Sequence, residues 1–138
     1  MGLTLTAEYA DAPEYDLGYG AFLNLRRDIA QAANAEFGAH YARIGETLVH
    51  PELADAYDKE TDRLIRKHHI GARICSFLFQ PDCDGYLTPF ACKAVADVIA
   101  DMDKDRAYGY AARARMSLAE FRGMLLECFK QRKRLIWY

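Results

Sequence analysis

Residues 74–105, ICSFLFQPDCDGYLTPFACKAVADVIADMDKD, decide how the rest of the chain is read. An apolar run leads into the loop PDCDGYLTP. The loop leads into a segment whose Ala91, Val95, Val98 and Met102 recur at helical spacing. The run before the loop is too short for periodicity to separate helix from strand. A helix is expected there, because helix, loop and helix together satisfy the geometry the loop asks for. With Gly85 at the sixth position the loop falls into the register of an EF-hand calcium site. Asp82 and Asp84 are then third and fifth, the Tyr86 carbonyl seventh and Thr88 ninth. These four are the candidate ligands for a divalent cation such as Ca2+. The two ends depart from the pattern: Gln80 is neutral at position one, and Ala91 cannot supply the bidentate carboxylate of position twelve, so an ion would be held loosely. A second reading needs no ion. Asp82 and Asp84 form Asx turns, Gly85 takes a positive φ, Thr88 caps the next helix and Pro89 begins it.

Working outward, Phe22, Leu25, Ile29, Ala33, Phe37, Tyr41 and Ile44 recur every three or four residues and predict a helix from residue 20 to about 43, bent at Gly38 and closed by Gly45. His50-Pro51 starts another helix, which runs to Ile70 with Gly71 as its stop. Ser117-x-x-Glu120 is a capping box, and Leu118, Phe121, Leu125 and Cys128 trace the face of the helix it opens. Lys130, Arg132, Lys133 and Arg134 complement the dipole at that helix's end. The last residues, Leu135-Ile136-Trp137-Tyr138, are too apolar for water and must fold back on the core or fill a groove on another copy. At the start, Leu3 and Leu5 alternate with threonines, which fits a short strand or an extended arm equally. The expected architecture is mainly α: a single domain over residues 1–138, with 1–18 an irregular arm and 19–138 a bundle of about five helices. Its core is expected to centre on Phe22, Leu25, Ile29, Leu64, Phe77, Val95, Val98, Phe121 and Leu125.

The segments YDLGYGAFLNLRRDIA, FLFQPDCDGYLTPFAC, AYGY and FRGMLLECFKQRKRLIWY, in this order, make the chain resemble small bacterial, actinobacterial and phage-borne proteins of no assigned activity. The resemblance spans about residues 15 to 137 and implies no catalytic residue, cofactor or partner.

Composition sets the remaining bounds. With 51% hydrophobic and 28% charged residues the chain is of ordinary globular make-up. It has no apolar run of membrane-spanning length and no secretory signal pattern, so a cytoplasmic protein without membrane contact is expected. Cys75, Cys83, Cys92 and Cys128 form no C-x-x-C pair, which argues against a redox motif or a zinc knuckle. Gly18-Tyr19-Gly20 lacks the third glycine of a dinucleotide fingerprint. Charge is unevenly spread: residues 1–105 hold ten Lys and Arg against eighteen Asp and Glu, and residues 106–138 hold eight against two. Arg113 and Arg115, with Arg132, Lys133 and Arg134, are the candidate contacts for an anion or a partner. No nucleophile and base pair, HExxH or Walker loop is present. The expected function is that of a small non-enzymatic helical protein without a cofactor, binding a protein partner or itself. A cation-responsive helix-loop-helix module and a nucleic-acid-associated protein are the alternatives.

Overall fold

The computed structural model describes residues 2–109 and 115–138. Two short strands open the chain, β1 (Gly2–Ala7) and β2 (Tyr15–Gly18); β3 (Gly85–Leu87) follows the Asp loop and β6 (Leu135–Trp137) closes the chain. They form one antiparallel sheet in the order β2-β1-β6-β3, so the two ends of the chain lie side by side at its centre. Alternation explains the sheet: Leu3, Leu5, Ala7, Leu17, Leu87, Leu135 and Trp137 are all buried, while Thr4, Asp16 and Tyr86 point the other way. Residues 1–18, expected as an irregular arm, thus carry two strands. Of the two readings offered for Leu3 and Leu5, the strand holds. It gains a partner at each edge, which no local pattern announces.

The remaining regular elements are mostly helices. They are α1 (Tyr19–Ala33), α2 (Ala35–Tyr41), the single turn α3 (Glu46–Val49), α4 (Ala54–His68) after a 3-10 turn at Pro51–Leu53, α5 (Ala72–Leu78), α6 (Pro89–Val98) and α7 (Leu118–Gln131). A two-residue hairpin pair, β4 (Ala107–Tyr108) with β5 (Met116–Ser117), precedes α7. The protein is therefore mainly α with a small antiparallel sheet, where a bundle of about five helices was expected; α1, α5 and α7 make the main helix contacts with that sheet, and the other helices pack chiefly on helices. One connected set of buried residues runs through sheet and helices. At its centre Phe22 and Phe77 each lie 5.7 Å or less from a partner ring, Phe22–Phe77 at 5.7 Å and both on Trp137 at 5.6 Å. Of the expected core only Val98 stays half-buried.

Several local rules hold and two are displaced. Ser117 and Glu120 make the reciprocal capping box, and the Thr88 hydroxyl accepts from Ala91 N with Pro89 as the first helical residue. The long first helix breaks at Asn34, whose side chain caps α2 by accepting from Phe37 N at 2.9 Å. Gly38, expected to bend the helix, instead lets α2 lie against α1: a Cβ there would be 2.5 Å from the Gln31 Cα. His69, at φ 53°, ends α4 in the left-handed conformation expected of a glycine, and Gly71 becomes the N-cap of α5. Glu36 of α2 ties to α4 through His68 at 2.6 Å and Lys67 at 2.9 Å, and these two bonds hold its carboxyl down at about 2. No helix among the described residues is long and apolar enough to cross a membrane.

Candidate functional site

α5, the loop and α6 do form the expected helix-loop-helix, with β3 inside the loop. Three of its four candidate ligands, however, already accept hydrogen bonds from the protein. Arg26 Nη1 donates to Asp82 Oδ1 at 3.1 Å, and Gln80 Nε2 donates to the Tyr86 carbonyl at 2.6 Å. Tyr86 N in turn donates to Gln80 Oε1 at 3.0 Å, so Gln80 spans the loop from its first position to its seventh. Thr88 Oγ1 is taken up as the cap. Asp84 is the one candidate ligand of the four with no donor among the described residues, and no group of three or more His, Cys, Asp or Glu side chains placed to hold a metal ion exists among them. The left-handed residue of the loop is Asp84, at φ 58°, where Gly85 was expected. Gly85 is there for space: a Cβ would stand 2.0 Å from the Trp137 ring. Trp137 also donates its indole N–H to the Pro81 carbonyl at 3.0 Å.

Sequence reasoning missed Arg26, which holds this corner from below. It is only 4% exposed. Its guanidinium lies 4.4 Å from the Phe22 ring centre, 5.5 Å from Phe77 and 5.7 Å from Trp137. Its Nε and Nη2 are buried and have no hydrogen-bond partner among the described residues. Burial pulls its pKa down, against the nearby Tyr41 and Asp82. In the sequence it reads as one of a basic pair, Arg26-Arg27, on an amphipathic helix, and only the returning C-terminal strand closes the aromatic surround.

The basic candidates do not converge. Arg132 ends α7 at φ 56° and lies 4.3 Å from the Phe129 ring centre and 5.2 Å from Phe90. Arg134 pairs with Glu8, Nε to Oε1 at 2.6 Å and Nη2 to Oε2 at 3.0 Å, which holds the Glu8 carboxyl below its usual range. Lys133 and Arg115 are exposed, and Arg113 lies outside the described residues.

A different surface gathers more. α3 has no buried residue; Leu48 is 85% exposed and Val49 73%, with Leu53 and Phe79 also exposed. Two hollows share Thr47 and Tyr57. One, of about 340 Å³, is lined by Ile44, Tyr57, Ile65 and Phe79 and edged by Asp58 and Asp62. The other, of about 200 Å³, lies between His40, Leu53, Tyr57 and Glu60. The stretch 43–63 carries six acidic and three basic residues. Two of those basic residues are bound locally, Arg43 to Glu46 at 3.1 Å and Arg63 to Glu60 at 2.6 Å. The result is an apolar knob beside an apolar hollow with an acidic edge. Thr47-Leu48-Val49 is one apolar turn between helix breakers, too short for periodicity to flag. Comparison of the chain with protein-family profiles, with curated proteins and with solved structures found no match.

Proposed function

We propose that the protein is a non-enzymatic binding protein and that its α3–α4 end docks a basic, amphipathic segment of another protein. One observation carries this: Leu48 and Val49, among the most exposed large apolar residues, directly follow Thr47, which lines a hollow with Ile44, Ile65 and Phe79. The edge selects the partner's charge. Asp58 and Asp62 flank the hollow, so a lysine or arginine whose methylene stem enters it would meet a carboxylate at the rim. A second copy fits less well, because two such ends would bring acidic rims together. The Asp loop is read as a rigid corner, supported by the donors that Arg26 and Gln80 supply to it.

The test is a backbone-amide NMR titration with two synthetic helical peptides of identical apolar face, one with lysines on its polar face and one with glutamates. Binding of the lysine peptide should perturb residues 44–65 and 79, and Leu48→Asp with Val49→Asp should abolish it while leaving the melting temperature unchanged, since both side chains are in water. Equal response to the two peptides, or none at this end, would sink the reading. A concentration-dependent dimer that the same double variant dissociates would transfer the surface to a second copy.

A further inference from the structure

We infer that the hollow between α1 and the β4–β5 hairpin is a binding site for a small phosphate-bearing molecule. It has a volume of about 440 Å³, in the range of small-ligand sites. Ala21, Asn24, Arg27 and Asp28 line one side. Their spacing of three and four places them on one face of α1, and Ala21 leaves room where a larger side chain would fill the space. Arg106 and Tyr108 close the other side.

The carboxylate in this hollow is already committed to protein donors. Asp28 Oδ2 accepts the Tyr108 hydroxyl at 2.6 Å and lies 2.6 Å from Arg106 Nε; its side chain is 16% exposed. Burial and donation to Asp28 push the Tyr108 phenol far up, so it stays a donor at any ordinary pH. Asp28 therefore acts on Arg106 as an orienting group at its Nε edge, and among the described residues no hydrogen bond engages the two terminal nitrogens of this half-exposed guanidinium. Arg27 has further donor capacity. Its Nη2 reaches the Ala42 carbonyl at 3.2 Å and its Nε is buried without a partner among the described residues, so its Nη1 is the nitrogen that a ligand could take. Asn24 adds an exposed amide on the same helix face.

Two guanidiniums, Arg27 and Arg106, against the single carboxylate of Asp28 leave the lining of this hollow with a net positive charge. An anion is the ligand such a spot selects. With Asn24, Arg27 and Arg106 all in its lining, the hollow offers donors from three side chains, which suits the three terminal oxygens of a phosphomonoester better than the two of a planar carboxylate, and the volume beyond a phosphate accommodates a small organic body. A nucleic-acid strand is the weaker fit, because backbone tracking needs a row of cations along a groove, and two of the other candidate cations are held elsewhere: Arg134 is paired with Glu8 and Arg132 is stacked on Phe129.

The experiment is an NMR titration of the full chain with glycerol 3-phosphate and with inorganic phosphate, at ionic strength matched with sodium chloride, alongside a short single-stranded oligonucleotide. Saturable shifts confined to residues 24–28 and 106–109, produced by both phosphates and not by chloride, are the expected result. Arg106→Gln should weaken the phosphates about tenfold or more, since it removes a charge-assisted pair of donors, and Lys133→Gln should leave them unchanged. Asn24→Leu, a change of an exposed side chain, supplies a second variant and should weaken them too. The inference is overturned by a response equal to that of chloride, by shifts centred elsewhere, or by salt-sensitive oligonucleotide binding with no response to the free phosphates.

Discussion

Gly85 lies so close to Trp137 in the molecule's central corner that a Cβ on it would stand 2.0 Å from the indole ring. Gly85→Ala forces a methyl into the indole and should cost about 3 kcal/mol, read as a lower denaturant midpoint at unchanged slope. The neighbouring residue behaves in the opposite sense. Asp84 holds a left-handed φ of 58°, so Asp84→Gly should leave stability within ~1 kcal/mol of the parent, whereas Asp84→Val should lose roughly 2 kcal/mol. These two substitutions invert what the Asp-Gly pattern suggests, because the pattern places the turn strain on the glycine. Arg26 is the third case. Its two unpartnered nitrogens make Arg26→Met close to neutral, since the methionine keeps the aromatic contacts and removes a costly buried charge. Asp82→Asn should cost about 1 kcal/mol in the parent and almost nothing in the Arg26→Met background, a coupling that a double-mutant cycle in urea measures directly.

Among elements, β6 matters out of proportion to its three residues, since it pairs with both β1 and β3 and brings Leu135 and Trp137 into the core. Removing residues 135–138 should abolish the cooperative thermal transition seen by circular dichroism, whereas a surface helix end would only fray. The Asp loop makes an element-scale prediction of its own. With Asp82 on Arg26 and the Tyr86 carbonyl on Gln80, millimolar calcium against chelator should leave the melting temperature of the parent unmoved; a rise of several degrees would restore the ion-binding reading. The α2–α4 contact carries a pH dependence. His40 Nε2 lies 2.7 Å from Thr61 Oγ1, whose own hydroxyl donates to the Tyr57 carbonyl, so the imidazole is the donor of that bond. His40 also stacks on the Tyr57 ring at 4.0 Å. Burial lowers its pKa below the usual 6.5, so below pH 6.5 the unfolded chain binds the proton more readily than the folded one. Stability is then full above about pH 6.5 and falls as the pH drops toward the folded value. His40→Gln should flatten that part of a stability-against-pH curve.

At the scale of the whole molecule, the uneven charge of the sequence resolves into local pairing and two separate fields. Part of the basic C-terminal region is neutralised within the chain, Arg134 on Glu8 and Arg106 on Asp28, while the α3–α4 end keeps an acidic excess around exposed Leu48 and Val49. Reversing that excess with Asp58→Lys and Asp62→Lys should switch preference from a lysine-bearing to a glutamate-bearing peptide without altering the fold, which competition between the two peptides would read. Such a surface is hard to see in a sequence. Its apolar members sit on a single turn, and its hollow is assembled from three segments: Ile44 before α3, Tyr57 and Ile65 on α4, and Phe79 after α5. The same holds for the α1 hollow, where Asp28 meets Tyr108 across 80 positions of chain.

What the residues alone determined was everything that rests on neighbours a turn or so away: the helix stripes, the Thr88 and Ser117 caps, the break after the apolar run at 74–80 and most of the core. Local hydrogen bonds and 3.6-residue periodicity act over a few positions, and those are written in the order of the chain. The tertiary structure decided what depends on pairing distant segments. It turned the first and last residues into the centre of a sheet, moved the loop's left-handed turn from Gly85 to Asp84, and gave Arg26 its aromatic surround. Three-residue strands carry too little pattern to announce their partners, and the backbone of one segment becomes a constraint on another only once both are packed together.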